Sequence, residues 1–212
     1  MKKMRWSMAL LIFTIVGLGG CAHEWSSASD PHPVTVADLQ AVLRDQWSRH
    51  IFWIRNVVLD NAKNDRRSQD FAEKAVAANT KEIAKTFTPF YGDAASRRLR
   101  TLLTEHDGAI EAYSEATVAG NKRQQDAALT KFASNTEEIA TFFSEVNPHL
   151  SKNTVRGLFA TLVDHHIAQI TKFQNKDYAG EEETWPMMEH HIYVIADTLT
   201  TALAKQFPAK FS

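Results

Sequence analysis

Residues 69–84 and 125–140 carry one pattern twice, 56 residues apart, with nine of the sixteen positions identical. The matches are Gln69/Gln125, Asp70/Asp126, Ala72/Ala128, Ala77/Ala133, Asn79/Asn135, Thr80/Thr136, Glu82/Glu138, Ile83/Ile139 and Ala84/Ala140. At the same offset Arg44 meets Arg100, His50 meets His106, Ile54 meets Ile110 and Phe87 meets Phe143. A second step sets Asn135, Ile139 and Ala140 over His191, Ile195 and Ala196. A recurring unit of this length buries its apolar face by stacking on its own copies. Apolar residues recur at i, i+3/i+4 and i+7, and no run alternates polarity as a strand would. With 8 Gly and 6 Pro in 212 residues, the unit reads as a helical hairpin, not a turn-rich β module.

Six helices are predicted, over 36–61, 68–88, 93–118, 121–145, 152–176 and 185–206. Thr35 with Asp38 reads as a capping box, and Ser68, Asp93, Asn121 and Ser151 as N-caps. Gly92, Gly120 and Gly180 stand where the chain must reverse, and Asn147-Pro148 ends the fourth helix. Pro186 fits the first turn of the sixth helix, with Glu181-Glu182-Glu183 before it favouring the helix dipole. Short connections between long helices imply an all-α, up-and-down antiparallel bundle of about six helices over residues 35–212.

Each predicted helix carries a polar residue on its apolar stripe. His50 lies among Leu39, Leu43, Trp47, Ile54 and Val57, and Asn79 among Ala72, Val76, Ile83 and Phe87. His106 sits with Leu99, Leu103, Ile110 and Tyr113; Asn135 with Ala128, Phe132, Ile139 and Phe142. The fifth helix has His165-His166 between Leu162 and Ile170, and the sixth has His191 between Met188 and Ile195. Most lie near mid-helix, and the midpoints of antiparallel helices share one height. A single buried polar layer of His50, Asn79, His106, Asn135, His166 (or its neighbour His165) and His191 is therefore expected. Of the adjacent pairs His165-His166 and His190-His191, one member each can face inward.

Burying polar groups is costly unless they find partners. Three arrangements would supply them. The layer can satisfy itself, with trapped water and with Arg55, Glu82 and Glu138 a turn away, which is the ordinary outcome for buried polar groups and needs no cofactor. His50, His106, His166 and His191 can hold a transition metal or haem, since imidazole suits zinc, copper, iron or nickel. The layer, with Arg55, can also line a site for a small polar or anionic ligand. Against a metal, the layer includes two Asn, and the chain has neither the Glu-x-x-His of di-iron bundles nor Cys-x-x-Cys-His. Met187 and Met188 read as core filler, Trp47 and Trp53 as core anchors, and Lys81/Glu82/Lys85 and Arg97/Arg98/Arg100 as solvated faces. No phosphate loop, His-Glu-x-x-His or Gly-x-Ser-x-Gly is present and nothing marks a nucleophile, so a binding or scaffolding module is expected before an enzyme.

Several short pieces together resemble an uncharacterised family of small bacterial helical proteins. They are Trp47, His50, Trp53 and Arg55; Asn79 with Pro89-Phe90-Tyr91-Gly92; His106; Asn135 with Asn147-Pro148; His166, Thr171 and Asp177; and Ala196-Asp197 through Lys205-Gln206-Phe207-Pro208 to Phe211. The resemblance spans roughly residues 47–211. It implies a helical-bundle fold, no known activity and no catalytic residue. Family members look like cytosolic or secreted bundles, and this chain departs from them at its front end.

That front end reads as a bacterial lipoprotein leader. Lys2, Lys3 and Arg5 precede an apolar run from Trp6 to Val16, and Leu18-Gly19-Gly20-Cys21 resembles a lipobox. Residues 1–20 would be removed, Cys21, the chain's one cysteine, would be acylated, and residues 21–34, with His23 and His32, would form a flexible tether. The expected location is the cell envelope, outside the cytoplasm, with the membrane as partner through the lipid. In a Gram-negative cell, Ala22 after the Cys resembles outer-membrane rather than inner-membrane retention. Cleavage also changes the charge. The full chain has 24 basic and 25 acidic residues; the leader takes three basic and no acidic ones, leaving 21 against 25. Neither balance suits a dedicated nucleic-acid binder, and without a disulfide the mature protein depends on its helical core.

Overall fold

The computed structural model describes residues 34–212, so the leader, Cys21 and all of the tether but Val34 lie outside the described residues. Six helices run α1 (Val36–Ala62), α2 (Arg66–Thr86), α3 (Thr88–Val118), α4 (Lys122–Val146), α5 (Lys152–Gln174) and α6 (Tyr178–Gln206), followed by a 3-10 turn at Pro208–Lys210. The described residues contain no strand, and none of their helices is long and apolar enough to cross a membrane. The all-α bundle expected from the periodicity is the fold observed.

Helix starts follow the capping chemistry. Thr35 and Asp38 form the reciprocal box, and Asn121 and Ser151 cap α4 and α5 through their side-chain oxygens. Four expectations are corrected. The cap of α2 is Asp65, which accepts from the Ser68 backbone, so Ser68 lies in the first turn. A turn of helix from Thr88 precedes Gly92, whose φ of 78° makes the break expected there, and helix resumes at Asp93. α6 begins at Tyr178, and Pro186 lies inside it. Asp177 starts α6 by accepting from the Gly180 backbone at 3.0 Å, and Lys176, at φ 57°, turns the chain just before it. Gly180 therefore makes no reversal. It leaves room for the cap, because a Cβ there would fall 2.2 Å from Asp177 Oδ2.

The hairpins α1–α2, α3–α4 and α5–α6 pack side by side, and α6 returns to α1. This closes a ring, inside which α1, α3 and α5 touch one another. The odd-numbered helices are thus the inner three and the even-numbered ones the outer three. The apolar interior divides into two clusters. One holds Leu43, Trp47, Ile83, Leu99, Ile139, Phe143, Phe159 and Ile195; the other holds Ile54, Val57, Val76, Ile110, Phe132, Ile170 and Phe173. On α2, α3 and α4 the two clusters meet at Asn79, His106 and Asn135. Trp53, expected as a core anchor, is half-buried and sits edge-on between Phe52 and Phe71, both exposed.

Candidate functional site

The polar layer forms, and its pairing repeats with the sequence. His50 Nδ1 donates to Asn79 Oδ1 at 3.1 Å, while Asn79 Nδ2 donates to the Gln46 carbonyl at 3.1 Å. One repeat later, His106 Nδ1 donates to Asn135 Oδ1 at 3.0 Å, and Asn135 Nδ2 to the Leu102 carbonyl at 2.8 Å. In the third hairpin His191 stands where Asn stood, and its Nε2 donates to the Leu158 carbonyl at 2.8 Å, again 33 residues back. The third copy, faint in sequence, is therefore real in geometry. Each Asn is oriented by its carbonyl contact, so its oxygen faces the imidazole and holds the proton on Nδ1.

The copies differ at the other ring nitrogen. His50 Nε2 lies 3.1 Å from Asp107 Oδ1 on α3, off the line of a hydrogen bond but close enough for an ion pair when the imidazole is protonated. Thr80 donates to the other Asp107 oxygen at 2.8 Å. The position equivalent to Asp107 one repeat on is Val163, so His106 Nε2 is buried without a hydrogen-bond partner. Burial pushes the His106 imidazole below its usual value, against the opposing pull of Asp107 and Asn135. His166 from α5 completes the inner group. It is fully buried, both ring nitrogens lack partners, and its ring centroid lies 6.4 Å from that of His106. Burial, and then the neighbouring His106 and His50, push its imidazole well below the usual value.

These positions decide what the layer can do. The four-histidine donor set of His50, His106, His166 and His191 is not assembled. Both His50 nitrogens face protein partners, and His191 is half-buried with Nε2 committed to a carbonyl. Among the described residues no three His, Cys, Asp or Glu side chains are grouped to hold a metal ion. Glu82 and Glu138, expected as partners of the layer, face solvent. Arg55 leaves the layer altogether. Its Nε donates to Glu181 Oε1 at 2.7 Å, Gln169 donates to the same oxygen at 2.9 Å, and Glu181 is 1% exposed. Glu181 therefore sits in the first turn of α6, where an acid favours the helix dipole, but as a buried ion-pair partner and not a solvated residue.

Asp107 also carries the layer to the surface, because it lines a groove between α2 and α3 of about 190 Å³. The walls include Ile54, Val57, Val76, Ala77, Thr104, Gly108 and Ile110, with Glu73 and Glu111 among them. Burial, reinforced by the Glu73 carboxyl hydrogen-bonded to it, pushes the Glu111 carboxyl up to about 7. The same groove recurs between α4 and α5, shifted by one repeat. There Leu129, Val163 and Ile167 replace Glu73, Asp107 and Glu111. Glu73, Asp107 and Glu111 were not singled out by periodicity, which marks faces and not the chemistry of what each face meets. Their signal was in the repeat, as three carboxyls at positions apolar in the next copy. Comparison with protein-family models, characterised proteins and solved structures gives no match.

Proposed function

We propose that the protein is a lipid-anchored, extracytoplasmic binding module, a stiff helical body that takes its ligand in the α2–α3 groove. The lipid anchor rests on the charged and apolar leader and on Leu18-Gly19-Gly20-Cys21. The binding role rests on one observation: Glu73, Asp107 and Glu111 occupy a groove whose sister copy carries Leu129, Val163 and Ile167. The sister groove keeps the same helix pairing with Leu129 and Ile167, so the fold does not require Glu73 and Glu111, while Asp107 also serves the layer through Thr80 and His50. The His/Asn pairs serve as the internal lock, since all four side chains are buried and their His–Asn and Asn–carbonyl hydrogen bonds are made within the fold. Catalysis by His50 is disfavoured because both its nitrogens face protein partners.

Two measurements test this reading. Cys21→Ser should move the protein from the membrane to the soluble fraction, and unchanged fractionation would remove the anchor. A thermal-shift panel of small cationic, neutral and anionic organic molecules should contain compounds that stabilise the full chain. Glu73→Leu/Glu111→Ile should abolish that stabilisation. A panel in which nothing binds, or whose binders ignore the double variant, would defeat the binding role.

A second reading, a metal or haem inside the layer, draws on the unpartnered His106 Nε2 and the two His166 nitrogens. Two histidines provide fewer protein ligands than a closed structural site uses. Protein purified without a His tag should carry stoichiometric metal, lost in His106→Ala, if this reading holds. A metal-free protein whose melt is unmoved by zinc, copper, iron or nickel rejects it.

A further inference from the structure

The repeat supplies three versions of one groove, and their central residues can be compared. Between α4 and α5 the facing pair is Leu129 and Ile167. Between α6 and α1 the equivalent pair is Trp185 and Arg55, with the guanidinium 5.2 Å from the Trp185 ring centroid. That guanidinium is also paired with the buried Glu181 carboxylate. The third groove is thus filled by an organic cation of the chain itself, held by an aromatic face and a carboxylate. Between α2 and α3 the pair is Glu73 and Glu111, both acidic. Arg66, which also acts on Glu111, has Nη1 3.2 Å from Glu115 and 3.4 Å from Gln69 at the groove's end.

We propose that the α2–α3 groove binds an organic ammonium ion with an apolar body, the nitrogen between Glu73 and Glu111 and the hydrocarbon against Ile54, Val57, Val76 and Ile110. The assignment rests on the binding-module reading and adds the ligand's chemistry. Charge complementarity selects a cation, because two carboxyls face each other with no chain cation between them in the described contacts. The aliphatic walls select a hydrocarbon body over a hydrated metal ion. The groove's volume of about 190 Å³ gives room for a short alkylammonium. Burial and the neighbouring Glu73 carboxyl push the Glu111 carboxyl up to about 7, so near neutral pH it carries a proton part of the time. Entry of an ammonium replaces that proton as the counter-charge and sends it to solvent.

The test uses the full chain in mild detergent at pH 7, with hexylammonium, 1-hexanol and hexanoate as probes of equal length. Amide signals of Gly108 and Ile110 report the groove itself, apart from any partitioning into micelles. Hexylammonium should shift both signals and bind at least about tenfold tighter than 1-hexanol, the scale of one charge-assisted hydrogen bond. Its binding enthalpy should vary with the buffer's ionisation enthalpy, reporting proton release. Glu73→Leu/Glu111→Ile copies the residues of the sister groove, so it should stay folded and bind hexylammonium at least about tenfold more weakly. Equal binding of 1-hexanol, or preferred binding of hexanoate, overturns the cation assignment while leaving the binding module intact. If no probe moves Gly108 or Ile110, or if the folded double variant binds unchanged, the ammonium site is refuted. The broader panel then decides the binding role separately.

Discussion

His50 and His106 hold the same place in successive repeats, yet one residue makes their environments different. Asp107 faces His50 Nε2, and Val163 faces His106 Nε2. Val163→Asp should therefore raise the His106 pKa towards its ordinary value, because a carboxylate favours the imidazolium that burial disfavours. Imidazole carbon-bound proton shifts would follow it, and an unmoved His106 titration would show that the repeat equivalence fails at this atom. The Asn partners invite a paired test. Asn79→Ala and Asn135→Ala each strand a buried imidazole N–H and a carbonyl, so each should cost about 1–3 kcal/mol in chemical denaturation. The pH dependence has two opposing parts. His166 has a folded pKa below its unfolded value, so the unfolded chain binds the extra proton and stability falls as pH drops below about 6.5. Glu111 is raised from 4.5 to about 7, so the folded chain holds the extra proton between these values and stability falls as pH rises through that window. Glu111→Ile should remove the second part alone. Its advantage over the parent should be largest near pH 8 and should vanish near pH 4, and melts that gain equally at both pH values would contradict this assignment.

At the scale of elements, two helical glycines with the same local sequence logic should behave differently. A Cβ on Gly108 meets nothing within 4 Å, so Gly108→Ala should stabilise α3 by about 0.5–1 kcal/mol through chain entropy. A Cβ on Gly180 would displace the Asp177 carboxylate that caps α6. The lost cap, worth about 1 kcal/mol, should offset or exceed the same helix gain, leaving Gly180→Ala neutral or destabilising in thermal melts. The contrast also shows what was legible in the chain. Helix identity, most caps and the inward residues follow from local spacing, and the apolar stripes with His50, Asn79, His106, Asn135 and His166 could be read in advance. The first two turns of α6 could not. Pro186 resembles a helix start, but its missing N–H leaves one carbonyl unbonded and does not stop a helix packed on α1 and α5. The polar layer was visible because its members interrupt apolar stripes. Asp107, Glu111 and Glu181 were not, since a carboxyl at the edge of a stripe reads as solvated until the facing helix is known.

At the scale of the molecule, ring closure depends on how α6 meets α1, the pair most distant in sequence. Two ion pairs span that seam, and they should not contribute equally. Arg44 with Asp197 is more than a third exposed on both sides, where water and salt screen the attraction. Arg55 with Glu181 differs, because the carboxylate is 1% exposed and also accepts from Gln169, while the guanidinium lies over Phe173 and Trp185. Arg55→Met keeps most of the stem's packing but leaves Glu181 buried with one amide donor. Removing one partner of a fully buried pair costs about 3–5 kcal/mol; the outer edge of Arg55 reaches water, so about 2–3 kcal/mol is expected here. Arg44→Met should change the melt far less. Because Arg55 joins the first helix to the last, its loss should loosen the seam before the rest of the ring. Hydrogen exchange should then accelerate in the first half of α6 and in the facing turns of α1, while α3 and α4 keep their protection. Uniform acceleration across all six helices would mean that the ring opens as one unit and has no weakest seam. A further variant, Arg55→Met/Glu181→Leu, separates the buried charge from the contact itself. If the uncompensated carboxylate causes the loss, the apolar pair should recover most of the stability and the protection of α6 together.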